Sequence, residues 1–483
     1  MNVLQPSIRR QTKIFARSIS LFAVKQQQRR QQKWARSGII LALAGAAAAA
    51  TTTYMCTPHI SAEKSSEKAA GILSDIGVWA WGYNGTKLVS PQSQKEAIKT
   101  PQQIPFFDGM EIRDLRLGED VGVAVTSKGD VLEWGTGFDE STSIPQFILK
   151  SHNIKSVQIS RGRIYAVSKS GDKLLSIATS KAEQLQEQKT GGASKWFFSK
   201  TSPRQVKIPM QRGENIKQIS AGEKHILILT TNGRVFSSAT GSHAQYSSEG
   251  QLGIPVLLDD DSSILPEDPH EISTLRGIRI AQIAAGANHS IARTEDGKVW
   301  VFGSNLYGQL GMDYSINTAF IPIPALLALD RLYNTRGEAK VACSSIAAGG
   351  DTSLFTVTNY KKQTDDLWVS GSGLHGQHGS GHYAHTLGTP QRIKSLCNLP
   401  ILSISVGKRH LAAVIDTHSE SSDQRQLMFW GGNDWFQLGN GKRSNIALPS
   451  QLKTDNVVSK STSKFEETVV CGNLGTALYW RRI

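Results

Sequence analysis

From residue 112 onward, apolar runs of five or six residues recur with polar, glycine-bearing turns between them. The clearest stretch, residues 278–313, reads IRIAQIAAGANHSIARTEDGKVWVFGSNLYGQLGMD. It divides into an apolar strand ending at Gly286, a strand from His289 to Thr294, an Asp296-Gly297 turn, a strand from Lys298 to Phe302, and a glycine-rich loop. The same order returns from residues 112, 154, 216, 346 and 401, with equivalent glycines at Gly118, Gly162, Gly222, Gly349 and Gly407, spaced 44 to 64 residues apart. Lys-Gly-Asp, Ser-Gly-Asp and Asn-Gly turns are the local hairpin signal. Each unit leaves an apolar face that only a neighbouring unit can bury, so the pattern predicts a radially closed all-β ring.

The ends of the pattern predict how the ring closes. Residues 78–82 (VWAWG) match only the end of a unit, and residues 468–480 (TVVCGNLGTALYW) only its beginning. Six complete units and two complementary halves make seven blades, with one blade assembled from both ends of the chain. The units at residues 112 and 154 are degraded, and the latter lacks both the aromatic-Gly strand end and the Gly-Gln loop.

The Ala-Gly-x-x-His strand, Asp-Gly turn, aromatic-Gly strand end and Gly-Gln-Leu-Gly loop resemble the repeat of the regulator-of-chromosome-condensation family. The marks are Gly286, His289, Gly297, Gly303 and Gly308-Gln309-Leu310-Gly311, then Gly407, His410, Gly431 and Gln437-Leu438-Gly439. The resemblance covers residues 77–483 and implies an all-β, seven-bladed β-propeller. The family's founding member is a guanine-nucleotide exchange factor for a nuclear GTPase, but no exchange motif can be matched here.

Charge moves the expectation away from chromatin. The chain carries a net charge of +14, and nine basic residues lie within residues 1–37, which contain no acid. The remaining excess is too small for a nucleic-acid stripe. Apolar residues such as Ile14, Phe15, Leu21 and Phe22 among the basic ones give residues 1–37 the character of a mitochondrial presequence. Residues 38–56 are uncharged. As a helix they would extend about 28 Å, against a hydrocarbon core of about 30 Å, which predicts an N-terminal transmembrane helix. An extended presequence with a cleavage region is the alternative. Residues 57–76 would form a linker. Basic residues crowd the N-terminal flank of 38–56, which predicts a single-pass inner-membrane protein with its ring in the intermembrane space.

Several motifs invite chemical readings. Residues 371–376 (GSGLHG) fit G-x-G-x-x-G, but the fingerprint needs a following helix, and the repeat predicts a loop there. His375, His378, His382 and His385 are spaced like zinc ligands, yet fall in that same loop and are read as adventitious. His225, His289 and His410 recur at one repeat position and predict a structural role. Four widely separated cysteines and no distinctive Ser-His-acid set lead to an expectation of no catalytic, cofactor or metal residues. Two insertions remain. Residues 181–208 carry a polar helical pattern (KAEQLQEQK) and then Trp196-Phe197-Phe198, which contact lipid or a partner, or fold back on a blade edge. Residues 312–345, apolar from Ile321 to Leu332, suggest a short helix.

A basic leader, one membrane segment and a degenerate seven-bladed ring together resemble a fungal mitochondrial inner-membrane member of this family needed for respiratory complex III assembly. The resemblance implies a non-enzymatic assembly factor whose partners are complex III subunits or assembly intermediates, without nucleic acid. The alternative is a mitochondrial exchange factor for a GTPase of fusion or ribosome assembly.

Overall fold

The computed structural model describes residues 76–190, 203–240, 248–255, 265–313, 315, 317–329, 332, 341–360, 363–416, 425–452 and 465–482. The compact body spans Asp75–Tyr314 and Thr318–Ile483. Its strands form seven antiparallel four-stranded sheets. Blades 1 to 6 have inner strands Ile112–Leu117, Ile154–Ser160, Ile216–Ala221, Ile280–Ala285, Val341–Gly349 and Ile401–Val406. Successive inner strands contact one another around the ring.

The closing blade is built as the half-units predict. Its outer strands, Ala97–Gln103 and Val78–Tyr83, come from the N-terminal side, and its inner strands, Gly475–Arg482 and Phe465–Cys471, from the C-terminal side. Val78 pairs with Tyr479 and Gly82 with Gly475. Trp79, Trp81, Leu478, Tyr479 and Trp480 join one buried cluster with Leu115 and Trp134 of blade 1 and Phe429 and Leu438 of blade 6. Neither half could bury these rings alone.

At three blade interfaces a buried histidine makes the tie. Nε2 of His225, His289 and His410 lies 2.9, 2.8 and 2.8 Å from a hydroxyl of the next blade, on Ser290, Ser353 and Thr476. Each hydroxyl donates back to the carbonyl of a loop glutamine in the histidine's own blade: Gln251 at 2.8 Å, Gln309 at 2.6 Å and Gln437 at 2.7 Å. The hydroxyl proton is therefore committed, and Nε2 carries the hydrogen of each imidazole. The Gly-x-x-His spacing follows from the same packing. A Cβ on Gly286 would sit 2.0 Å from Cε1 of His289.

The other interfaces are tied by different groups. Asp114 Oδ2 of blade 1 accepts from the Val157 amide of blade 2 at 2.9 Å, and Ser160 Oγ of blade 2 donates to the Gly222 carbonyl of blade 3 at 2.7 Å. Trp430 Nε1 of blade 6 donates to the Gln377 carbonyl of blade 5 at 2.9 Å. Trp134 Nε1 of blade 1 donates to the Leu88 carbonyl of the closing blade at 2.9 Å. Each tie contributes about 1 kcal/mol net, and breaking one leaves a buried polar group unsatisfied at greater cost.

The insertions divide. Lys181–Thr190 is an α-helix, as its pattern predicts, and takes the place of the missing Gly-Gln loop of blade 2. Its Gln184 donates to the buried Glu133 carboxyl at 2.8 Å. Residues 320–327 depart from expectation. Phe320–Leu327 is the outer strand of blade 4, paired with Val299–Ser304. Pro322 and Pro324 forbid a helix interior and are tolerated on an edge strand. No helix among the described residues is long and apolar enough to cross a membrane. The expected presequence (1–37), membrane segment (38–56) and most of the linker (57–76) lie outside the described residues, as do Trp196, Phe197 and Phe198.

Two outcomes are expected. Deleting residues 468–483 removes the pairing of the closing blade and the burial of Leu478, Tyr479 and Trp480, worth about 2 kcal/mol each. The truncated chain should lose its cooperative thermal transition, and a normal melt would refute the closure. Burial lowers the pKa of His225, His289 and His410 to about 3. The unfolded chain takes up protons near pH 6.5, so stability is full above that pH and declines as pH falls towards 3. The loss is about 2 kcal/mol per histidine at pH 5. His289→Gln keeps a donor but does not titrate, so its melting temperature should fall less between pH 7 and pH 5 than that of the unsubstituted chain. Equal slopes would exclude the buried neutral imidazole as the cause.

Candidate functional site: the central channel and its rim

The inner strands of all seven blades surround a central cavity of about 900 Å³. Because every inner strand runs in the same direction around the ring, the turns that follow them gather at one mouth. Backbone bonds link those turns: Glu223 donates to Ala287, Ala287 to Gly350, and Lys408 to Gly472. The channel wall is held between blades by side chains that imitate a strand edge. Gln218 donates to the Ile283 carbonyl at 2.9 Å and accepts from its amide at 3.1 Å, and Gln282 treats Ile346 in the same way. Both glutamines sit where a β-bulge interrupts the inner strand and frees the side chain to reach across.

Three ion pairs lie on the channel, whose lining carries seven Lys or Arg and four Asp or Glu side chains. Arg116 lies 3.2 Å from Asp114, and Arg481 2.8 Å from Glu466. Lys408 of blade 6 reaches Glu223 of blade 3 at 3.2 Å, a strut across the mouth where the turns converge. Lys155 of blade 2 is directed to the Lys217 carbonyl of blade 3 at 3.4 Å.

The His–Ser pairs deserve comparison with a nucleophile and its base, since His289 and Ser353 are within hydrogen-bond distance. Both are wholly buried, and the Ser353 hydroxyl already donates to the Gln309 carbonyl. A substrate has no access to the pair, and the serine proton has no free path to the imidazole. The pairs act as interblade ties.

The histidine cluster of blade 5 does not converge. His378 is buried with Nε2 2.9 Å from the Gly371 carbonyl, His375 is half-buried, and His382 and His385 are exposed. Among the described residues no group of three His, Cys, Asp or Glu side chains could hold a metal ion. Residues 371–373 of the GSGLHG stretch end strand Thr364–Gly373, and residues 374–376 begin the loop to strand Ala384–Arg392. A strand in place of the helix removes the phosphate-binding dipole that a dinucleotide fingerprint requires. Cys343 and Cys471 are buried free thiols, both pushed up to about 12 by desolvation, so neither is a reactive thiolate.

The hydroxyl partners of the histidines and the glutamine clamps escaped the sequence reading. A signal was present: the residue after the histidine position is Ser290, Ser353 or Thr476 in the blades that receive a tie.

The repeat described as "Regulator of chromosome condensation (RCC1) repeat" matches residues 216–238 and 280–309, within blades 3 and 4. The chain is 25% identical over 444 residues to Protein FMP25, mitochondrial, of Saccharomyces cerevisiae, covering 84% of this chain and 72% of that protein. It is 25% identical over 371 residues to RCC1 domain-containing protein RUG3, mitochondrial, of Arabidopsis thaliana, covering 72% of this chain and 74% of that one. The crystal structure of Prp20p from Saccharomyces cerevisiae superposes with a TM-score of 0.60 at 20% identity, covering 85% of this chain and 92% of that one, a likeness of fold. Blades 3 and 4 thus carry repeats of the RCC1 type, within a seven-bladed ring similar in fold to that neighbour.

Proposed function

We propose that this chain is a non-enzymatic mitochondrial scaffold that supports assembly of respiratory complex III (ubiquinol–cytochrome c reductase) by holding a subunit or an assembly intermediate on its ring. The observation that carries the reading is the likeness, spread over 84% of the chain, to a mitochondrial protein of Saccharomyces cerevisiae. The acid-free, basic residues 1–37 suit import into that compartment. The ring supports the scaffold part. Its His–hydroxyl pairs are sealed, while the loops at both faces offer a broad surface for protein contact. Attachment to the inner membrane is assigned to residues 38–56, with the ring in the intermembrane space, on the strength of the uncharged run and its basic flank.

Cells lacking the chain should lose assembled complex III on native gels and fail in respiratory growth, and the full chain should restore both. Protease added to mitoplasts should digest the ring while leaving matrix proteins intact. Normal complex III in the deletion would refute the assembly role, and a protected ring would refute the orientation. Stimulated nucleotide release from a matrix GTPase by the purified chain would refute the non-enzymatic reading.

A further inference from the structure

The repeats supply an internal control for function. Exposed rim positions do not carry the ties between blades, so a rim that diverges in charge in one blade is not explained by closure of the ring. The inner-strand turn and glycine-rich loop of blade 4 (286–289 and 303–313) contain no Lys or Arg, and neither do those of blade 5 (349–352 and 371–385). Blade 6 keeps Gly431, Asn433, Gln437, Leu438 and Gly439, with Asn433 holding its loop by accepting from the Leu438 amide at 2.9 Å. Yet its turn and loop (407–410 and 431–445) carry Lys408, Arg409, Lys442 and Arg443 against a single acid, Asp434. Blade 1 is the opposite, with Glu119, Asp120, Asp139 and Glu140 and no base in the equivalent segments (118–122 and 135–145).

The basic groups of blade 6 surround an aromatic platform. Trp435 and Tyr83 of the adjacent closing blade pack with ring centroids 4.7 Å apart. The Arg443 guanidinium lies over the Trp435 ring at 5.0 Å. On the other side, Gly432 forms a low floor, since an added Cβ would meet Arg409 Cβ at 3.1 Å and His375 Cβ at 3.5 Å. Leu374, next to His375 in the blade 5 loop, is 47% exposed. Arg409 is half exposed, and its nearest carboxylate, Asp434, is 3.9 Å away and equally exposed, a separation that neutralises little. Burial pushes the His375 pKa down, favouring its uncharged form. Trp, Tyr and Arg grouped this way are the residue types that dominate binding energy at protein interfaces.

We infer that the blade 6 rim, centred on Trp435, Arg409 and Arg443, is a docking site for an acidic segment of a partner protein that places an aliphatic or aromatic side chain on the Trp435 platform. Charge complementarity selects the occupant. Carboxylates pair with Arg409 and Arg443 while the apolar side chain covers Trp435 and Tyr83. The inference rests on the scaffold reading and supplies its contact surface, but it is tested on purified protein and so fails separately from any role in complex III.

The test uses the purified full-length chain and a fluorescein-labelled peptide of glutamates with two leucines. The same peptide with lysines for glutamates, and one of glutamates alone, serve as comparisons. Fluorescence anisotropy should show the Glu–Leu peptide binding about tenfold more tightly than either comparison, and weakening as salt rises. The exposed double substitution Arg409→Gln with Arg443→Gln should lower its affinity about tenfold without shifting the melting temperature, and Trp435→Ala should do so as well. Should Trp435→Ala disturb folding, the double arginine variant alone decides. Equal binding of the three peptides, or unchanged affinity in the arginine variant, would overturn the assignment. Vesicles of anionic phospholipid that bind through Arg409 and Arg443 and displace the peptide would overturn it too, by making the rim a membrane contact.

Discussion

One carbonyl oxygen gathers the closure of the ring. The Gln437 carbonyl of blade 6 accepts from Trp81 Nε1 at 2.8 Å and from Thr476 Oγ1 at 2.7 Å. Trp81 belongs to the first strand of the propeller and Thr476 to the last, so both ends of the chain are anchored on one atom. Thr476 is also the hydroxyl that takes the His410 hydrogen. Sheet pairing joins the two halves of the closing blade to each other. The Gln437 carbonyl joins each half separately to the body of the ring, which makes closure cooperative between groups almost 400 residues apart.

The same geometry explains why the repeat can degrade without opening the ring. An interface needs a buried donor and acceptor that reach across it, and the chemistry of the pair is free to change. Blades 3, 4 and 6 use histidine with a hydroxyl, blades 1 and 2 use Asp114 and Ser160, and blades 5–6 and closing–1 use an indole of the following blade. Where blade 2 has lost its Gly-Gln loop, the helix Lys181–Thr190 covers the gap, with Lys181 paired to Asp139 at 2.5 Å and Arg163 to Glu187. The recurring histidines are thus one solution among several to a constraint set by the ring.

What the sequence discloses about this molecule depends on how local the cause is. The half-units at residues 78–82 and 468–480 predict the composite blade because strand and turn patterns are written in neighbouring residues. Lys181–Thr190 is legible for the same reason. Phe320–Leu327 was misread because its apolar content was weighed above Pro322 and Pro324, which exclude a helix interior and suit an edge. The ties between blades were invisible as pairs. His289 and Ser353 are 64 positions apart, and neither is unusual by itself. The strut from Lys408 to Glu223 joins opposite sides of the ring, and only closure brings those residues together.

Once the ring is fixed by its buried positions, its rim is where one blade can differ from the next at little energetic cost. Lys408 shows the two demands meeting in adjacent residues, because its side chain serves the strut across the channel while Arg409 turns outward to the blade 6 platform. The acidic rim of blade 1 and the basic rim of blade 6 flank the closing blade on its two sides, so the surface beside the seam carries a charge gradient that no single repeat contains. A partner that reads this gradient is oriented by it before any close contact forms. It would then settle beside the seam whose integrity depends on the Gln437 carbonyl. Binding there and closure of the ring would be coupled, since a partner that contacts Tyr83 and Trp435 holds the N-terminal half of the closing blade against blade 6.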